Sequence, residues 1–472
     1  MSFELYEYKI EDLGKVITGK TPPSKISDAF SAQGIPFVTP KDMDGRRLID
    51  KTERYLSSQG VEAVRNCLLP QNSIAVSCIG SDMGKTVLLP GESITNQQIN
   101  AIVVDSEHFD YKYVYYYLST LQDDFKAIAG GSATPILNKG HFSQFKVSLP
   151  VKPVQNKIAL ILDSLDTKIE VNTEINHTLE QMAQALFKSW FVDFEPVKAK
   201  MAVLEAGGSQ EDATLAAMTV ISGKDTDALE VFEREHPEQY AELKATAELF
   251  PSAMQECEGG AIPKGWRRGA VTNVTDKVFS GGTPTTTKSE YWNGEFHWFS
   301  SGETRNSVIT NTEKTITKLG VEQSSTKESV LGDVLIASAG QEHTRGQTSL
   351  NMINTYINQS VVAVRPKNTI FTCWLYMNFR SRYEEMRSIS DSHSSRGSLT
   401  TKLVSGMPVV IPSENILQKF EKSIFPLFDG VKHSQREIDS LTQLRDTLLP
   451  KLLSGEITLP EAEQAVSEVE NV

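Results

Sequence analysis

The stretch of this chain closest to a catalytic motif is Gly-Ser-Asp-Met-Gly-Lys-Thr at residues 80–86. A phosphate-binding loop needs four residues between its glycines, so that successive amides wrap the phosphate, and here there are three. A later stretch that matches it, residues 340–348, has no lysine before its threonine. A nucleotide-hydrolysing enzyme built on residues 80–86 is thus an alternative that the spacing argues against. His108, His141, His177, His236, His297, His343, His393 and His433 show no metal-ligand spacing, and the four cysteines form no Cys-x-x-Cys pair. His-Glu-x-x-His, Gly-x-Gly-x-x-Gly and the Asn-Pro-Pro-Tyr motif of amino-methyl transfer are all absent from the sequence. The chain is expected to be no enzyme, with no catalytic residue, no cofactor-binding residue and no metal ligand.

What remains is a set of polar, loop-like segments. They carry Lys20, Thr21, Lys41, Arg46, Arg47, Lys85, Lys139 and His141 in the first half of the chain. In the second they carry Thr283, Lys288, Arg305, His343, Arg345, Arg396 and Lys402. Such side chains donate to phosphate oxygens, and at base edges Arg and Lys suit guanine while Asn and Gln suit adenine. These fifteen residues are the candidate DNA contacts.

The elements that hold them come from one unit written twice. Lys-Val-Ile-Thr-Gly-Lys-Thr-Pro at 15–22 matches Lys-Val-Phe-Ser-Gly-Gly-Thr-Pro at 277–284, a shift of 262 residues. Residues 73–80 match 333–340 at a shift of 260, Asn96-Gln97 matches Asn358-Gln359 at 262, and Leu149-Pro150 matches Ile411-Pro412 at 262. Order and spacing together mark a duplication. Each copy opens with about 150 residues of short apolar runs among Gly, Pro, Ser and Asn clusters, which predicts a compact α/β domain. Residues 73–78 and 101–104 are predicted strands, and 111–118 and 371–379 predicted helices.

Each copy then changes character. Between Pro153 and Pro196 there is no proline, and Ile158, Leu162, Leu165, Ile169, Asn172, Asn176, Leu179, Ala183 and Leu186 follow a 4-3-4-3 spacing. Adding 262 gives Phe420, Ile424, Leu427, Val431, Ser434, Ile438, Leu441, Arg445 and Leu448 in the same phase. That is the seam of a coiled coil, and the two helices are expected to pair antiparallel with Asn172 opposite Ser434. Pro426 is expected to kink the second helix or start a new segment.

The net charge of −13 taken alone disfavours a polyanion partner. The acidity, however, is confined. Residues 202–258 hold thirteen carboxylates against Lys224, Arg234 and Lys244, and Glu461, Glu463, Glu468 and Glu470 lie in the tail. The rest of the chain is near neutral and free to present basic surfaces. Both acidic segments are read as solvated appendages, and the longer one as a partly helical spacer dispensable for recognition. No apolar run reaches the roughly 20 residues of a membrane span, and residues 1–10 lack a basic-then-apolar leader, so a cytoplasmic protein without membrane contact is expected. The expected division is 1–150, first α/β domain; 151–196, central helix; 197–261, acidic insertion; 262–412, second α/β domain; 413–459, distal helix; 460–472, acidic tail.

On these features the chain resembles the specificity subunit of type I restriction-modification enzymes. The resemblance rests on the Gly-x-Thr-Pro starts, the Asn-Gln pairs, the domain exits at 149–158 and 411–420, and the ending Leu-Leu-Pro-Lys-Leu-Leu-Ser-Gly-Glu-Ile at 448–457. It implies two tandem α/β target-recognition domains separated by a pair of long antiparallel coiled-coil helices, with an internal pseudo-two-fold repeat. It further implies a subunit of host defence that reads a bipartite sequence in double-stranded DNA, one half per domain, with the helices setting the spacer. Two methyltransferase subunits would bring S-adenosylmethionine, and restriction subunits would bring ATP and Mg. The alternative of another class is a two-headed coiled-coil scaffold that binds protein or carbohydrate.

Overall fold

A computed structural model describes residues 3–129, 136–340, 344–393 and 398–470, with the backbone alone at 392, 393, 469 and 470. Two units divide the chain, Met1–Glu170 with Ile438–Val472 and Val171–Glu437. The division falls inside both long helices, Lys152–Phe187 and Glu414–Ser454.

The first unit is built on a four-stranded antiparallel sheet in the order Gly14–Thr18, Ile99–Val104, Ser73–Ser77, Thr86–Leu89. Ser73–Ser77 is buried on both faces, which its unbroken small and apolar run permits. A second sheet contains the parallel pair Ile35–Val38 with Ile94–Thr95. Tyr6–Lys9 pairs antiparallel with Lys146–Leu149, bringing the start of the domain to its exit. Helix Tyr111–Ser119 is capped by Asp110 and buries Tyr113, Val114, Tyr116 and Leu118 against the sheet.

The second unit repeats this plan to the level of register. Thr18 pairs with Asn100 in the first sheet, and Ser280, 262 residues on, pairs with Val362. Val38 pairs in parallel with Thr95, and Phe299 with Ile357. Strands Val334–Ala337 and Thr348–Asn351 and helix Thr372–Ser381 stand where the first copy has 73–77, 86–89 and 111–119. The glycine of each Gly-x-Thr-Pro start is required by close approach: a Cβ on Gly19 would lie 2.2 Å from the Asn96 carbonyl, and one on Gly281 1.9 Å from that of Ile357.

The helix Lys152–Phe187 accommodates Pro153 in its first turn, where no amide donor is lost. Within the first unit Ile158, Leu162 and Leu165 are buried with Leu441 and Leu448, and Ile169 packs on that cluster. Within the second, Ala183, Ile424 and Val431 are buried and Leu179, Leu186 and Leu427 pack beside them. The direction is set there: Asn172 meets Ser434, whereas Phe187 meets Phe420 with ring centroids 6.1 Å apart. The pair is antiparallel, as expected. Its seam also merges with each domain core, so the same stripe serves both helix pairing and domain packing.

Three expectations are corrected. The distal helix starts no new segment at Pro426 but continues through it; the residue is exposed, so water can take the carbonyl that the missing amide leaves free. The tail is not a solvated appendage: Leu459–Glu470 is a helix whose Ala462 is fully buried in the first unit. The acidic segment is not a spacer but a set of packed helices, Glu195–Glu205, Gln210–Ser222, Thr226–Glu235 and Pro237–Glu248. Ser209 and Asp225 cap two of them, and Ala217, Met218, Leu229 and Ala247 form their own small core. Phe250 anchors the set with its ring edge-on to Trp190 at 5.0 Å. Lys200 is 2% exposed and donates to the carbonyls of Ala247 and Phe250 at 3.1 and 2.7 Å, burial lowering its pKa. The charges lie on the outer faces, which is why composition alone suggests solvation. Among the described residues, no helix is long and apolar enough to cross a membrane.

Candidate nucleic-acid interface

Each copy assembles its polar loops on the same hydrogen-bonded frame. The threonine of the Gly-x-Thr-Pro start donates to the glutamine of the Asn-Gln pair in both: Thr21 Oγ1 to Gln97 Oε1 at 2.7 Å, and Thr283 Oγ1 to Gln359 Oε1 at 2.5 Å. The asparagine of the pair turns its own loop, accepting from the Gln98 amide in one copy and the Ser360 amide in the other, each at 3.0 Å. A buried carboxylate clamps the next loop. Asp42 accepts from the amides of Thr39 and Glu53 at 2.8 Å, and Glu303 accepts from those of Ser300 and Glu313 at the same distance. Two sequence motifs some 76 residues apart are thus one physical joint.

On this frame the candidates fall into three groups. Lys20, Lys41, Lys139, His141, Lys288 and Lys402 are exposed. Lys20 and Lys139 belong to distant loops yet both bear on the Cys67 thiol, opposing the upward shift that its burial causes. Lys288 lies over the Tyr291 ring at 4.9 Å and donates to its hydroxyl. A second group is engaged in surface ion pairs: Arg46 with Asp44 at 3.0 Å, Lys85 with Asp82 at 2.9 Å, and Arg305 with Glu313. Pairs of this kind are worth little in water and exchange readily for a phosphate. The third group is committed to the interior.

Arg47 is the clearest correction. Its side chain is 10% exposed and donates to Asp163 at 2.6 Å, to Glu170 at 2.9 Å and to the Tyr116 hydroxyl at 3.2 Å. Burial works against its charge, but the hydrogen bonds to Glu170 and Asp163 outweigh it and raise the pKa above the usual guanidinium value. Lys112 adds a bond to Asp163 at 2.5 Å, and Arg445 one to Asp166 at 2.8 Å. Arg47 therefore ties its domain to the central helix and offers nothing to a phosphate. The second copy makes the same tie with another residue, Arg380, which donates to Glu180 at 2.6 Å. Arg345 is 13% exposed and paired with Asp391. His343 and Arg396 lie outside the described residues.

Residue types taken in isolation do not point to Gln347 and Arg380, which line a polar notch of about 240 Å³ with Thr304, Arg305 and Tyr383. The loop shift between the copies carries the signal for Gln347, since it takes the place of Lys85. Residues 80–86 form a hairpin between strands 73–77 and 86–89, not a strand-to-helix turn, so they do not make a nucleotide-binding loop.

The profile of the type I restriction modification DNA specificity domain matches residues 4–181. The chain is 34% identical over 323 residues to the type I restriction enzyme HindI specificity subunit of Haemophilus influenzae, covering 67% of this chain and 70% of that protein. It is 24% identical over 461 residues to the MjaIX specificity subunit of Methanocaldococcus jannaschii, covering 96% and 93%. In fold it is similar to the S subunit of a type I restriction-modification system from M. genitalium, with a TM-score of 0.56, 16% identity and 96% of each chain covered.

Proposed function

Because the chain belongs to the type I restriction-modification specificity subunits, we propose that it reads a bipartite DNA sequence, one half through each recognition domain. The observation that carries this reading is the pair of matched frames with different side chains: Thr21 and Gln97 recur as Thr283 and Gln359, while Lys85 gives way to Gln347 and Lys20 to Gly282. One scaffold kept twice with altered loops suits two readers of different sequence. A scaffold for a single protein or carbohydrate ligand would have no use for the difference. The exposed cations Lys20, Lys41, Lys139, Lys288 and Lys402, with Arg46 and Arg305 after exchange of their surface partners, are the proposed phosphate contacts.

In this reading the chain performs no bond-making step of its own. Two methyltransferase subunits bind S-adenosylmethionine and methylate adenine, restriction subunits supply ATP-driven cleavage, and the long helices fix the spacer between the half-sites. The test is to map methylated adenines in DNA from cells that carry this chain with its methyltransferase subunits. A single bipartite sequence, lost when this chain alone is deleted, is the expected result. Methylation that persists unchanged without the chain overturns the proposal.

A further inference from the structure

Strands Ser73–Ser77 and Thr86–Leu89 in the first copy, and Val334–Ala337 and Thr348–Asn351 in the second, are linked at their facing ends by the same three backbone bonds. The Ser77 amide donates to Lys85, the Gly84 amide to Ser77 and the Lys85 amide to Asp82, at 2.9, 2.8 and 3.1 Å. In the second copy the Ala337 amide donates to Gln347, the Gly346 amide to Ala337 and the Gln347 amide to Thr344, at 2.9, 2.9 and 3.0 Å. Gly84 and Gly346 sit in the left-handed region at φ 85° and 88°, so the residue that follows each leaves the turn in the same direction. That residue is Lys85 in one copy and Gln347 in the other. Each is steered by the facing loop at an equivalent point, Lys85 Nζ donating to the Met43 carbonyl at 3.4 Å and Gln347 Oε1 accepting from Thr304 Oγ1 at 3.2 Å.

The two side chains offer different chemistry from one place. The Lys85 ammonium is a donor only: of its three N–H bonds one goes to the Met43 carbonyl, and the one on Asp82 is a surface pair that exchanges readily, so two can serve an external pair of acceptors. Guanine presents two acceptors, O6 and N7, in the major groove. Gln347 rests its amide against the Thr304 hydroxyl and, whichever end faces that hydroxyl, keeps an N–H to donate and an oxygen lone pair to accept. Adenine presents one acceptor, N7, and one donor, the N6 amino group. We infer that Lys85 and Gln347 are equivalent specificity-determining positions, set for guanine in the half-site of the first domain and for adenine in that of the second. The inference rests on the DNA-reading function proposed above and adds which residue of each domain decides one base pair.

The experiment uses the full complex with its methyltransferase subunits, carrying Lys85→Gln, Gln347→Lys, Lys85→Ala or Gln347→Ala, and maps the methylated sequence. Lys85→Gln is expected to shift one position of the first half-site from G·C to A·T by about ten- to a hundredfold in preference, leaving the other half-site untouched. Gln347→Lys is expected to do the reverse in the second half-site, and each alanine variant to relax its one position. A target identical to that of the parent complex in all four, or changes spread over both half-sites, overturns the inference. If a variant no longer methylates, its complex is used to select from a randomised duplex pool. A consensus changed at one position supports the inference; an unchanged consensus overturns it. Loss of all duplex binding with the circular dichroism spectrum retained also overturns it, because one base contact is a small part of an affinity dominated by phosphates. A parent complex with no defined target would instead refute the DNA-reading function itself, so the two failures are distinguishable.

Discussion

Asn172 and Ser434, 262 residues apart and equivalent in the two copies, meet directly: the Ser434 hydroxyl donates to the Asn172 carbonyl at 3.2 Å, and Asn172 Nδ2 donates to Glu437 at 2.9 Å. A polar layer in a largely apolar seam penalises a slipped register, since a slip buries these groups without partners. Cysteines at 172 and 434 should therefore crosslink on mild oxidation, whereas cysteines at 172 and 420 should not, as read by mass spectrometry of proteolysed protein. The opposite result would contradict the antiparallel pairing.

Arg47 should behave as an interior residue. Arg47→Ala leaves Asp163 and Glu170 short of a partner, and breaking a buried ion pair on one side costs roughly 3–5 kcal/mol. Denaturant unfolding should show a loss of that order, while the sequence recognised by any surviving complex stays the same. A normal unfolding midpoint with a changed target would return Arg47 to the DNA contacts.

The helical insertion should be needed for stability. Phe250 is 1% exposed and packs on Trp190, so Phe250→Ala should cost roughly 3–5 kcal/mol. Replacing residues 202–258 with a flexible linker should expose Trp190 and lower the unfolding temperature, visible as a red shift in tryptophan emission. An unchanged melting curve for the shortened protein would restore the view of a passive spacer.

Glu421 gives a pH dependence whose sign is fixed. It accepts from the Cys373 amide at 2.9 Å, and burial pushes its pKa from 4.5 to about 7 against the pull of the Cys373 hydrogen bonds. A folded-state pKa above the unfolded value means that this contribution is complete below pH 4.5 and lost as pH rises through 7, on the order of 3 kcal/mol in all. Glu421→Gln keeps an acceptor for the amide and removes the titration. The stability difference between parent and variant, followed from pH 4.5 to 8, should therefore change across this window, with the variant gaining as pH rises. A difference independent of pH would show that the carboxyl ionises without cost.

The duplication, the α/β character of each copy and the two long helices are legible in the amino-acid sequence alone, and for a physical reason. Repeats and heptads are periodic along the chain, and a helix face or a buried strand selects side chains at fixed spacing wherever the fold places it. The Gly-x-Thr-Pro and Asn-Gln motifs stand out in the same way, because each matches its own copy at a shift of 262. Nothing along the chain says that they touch.

What only tertiary structure settles is the partner of each polar group. Arg47 and Lys41 look alike in a basic loop, yet one reaches carboxylates 116 and 123 residues away and the other faces solvent. The acidic insertion reads as solvated because of its dense charge. It folds because Phe250 and Lys200 find the Trp190 ring and two helix-end carbonyls. Pro426 reads as a kink or the start of a new segment, and the helix continues through it without a new start, on a face open to water. The energies that choose between these outcomes, burial of a charge against its pairing and of a ring against exposure, depend on distances that spacing along the chain does not contain.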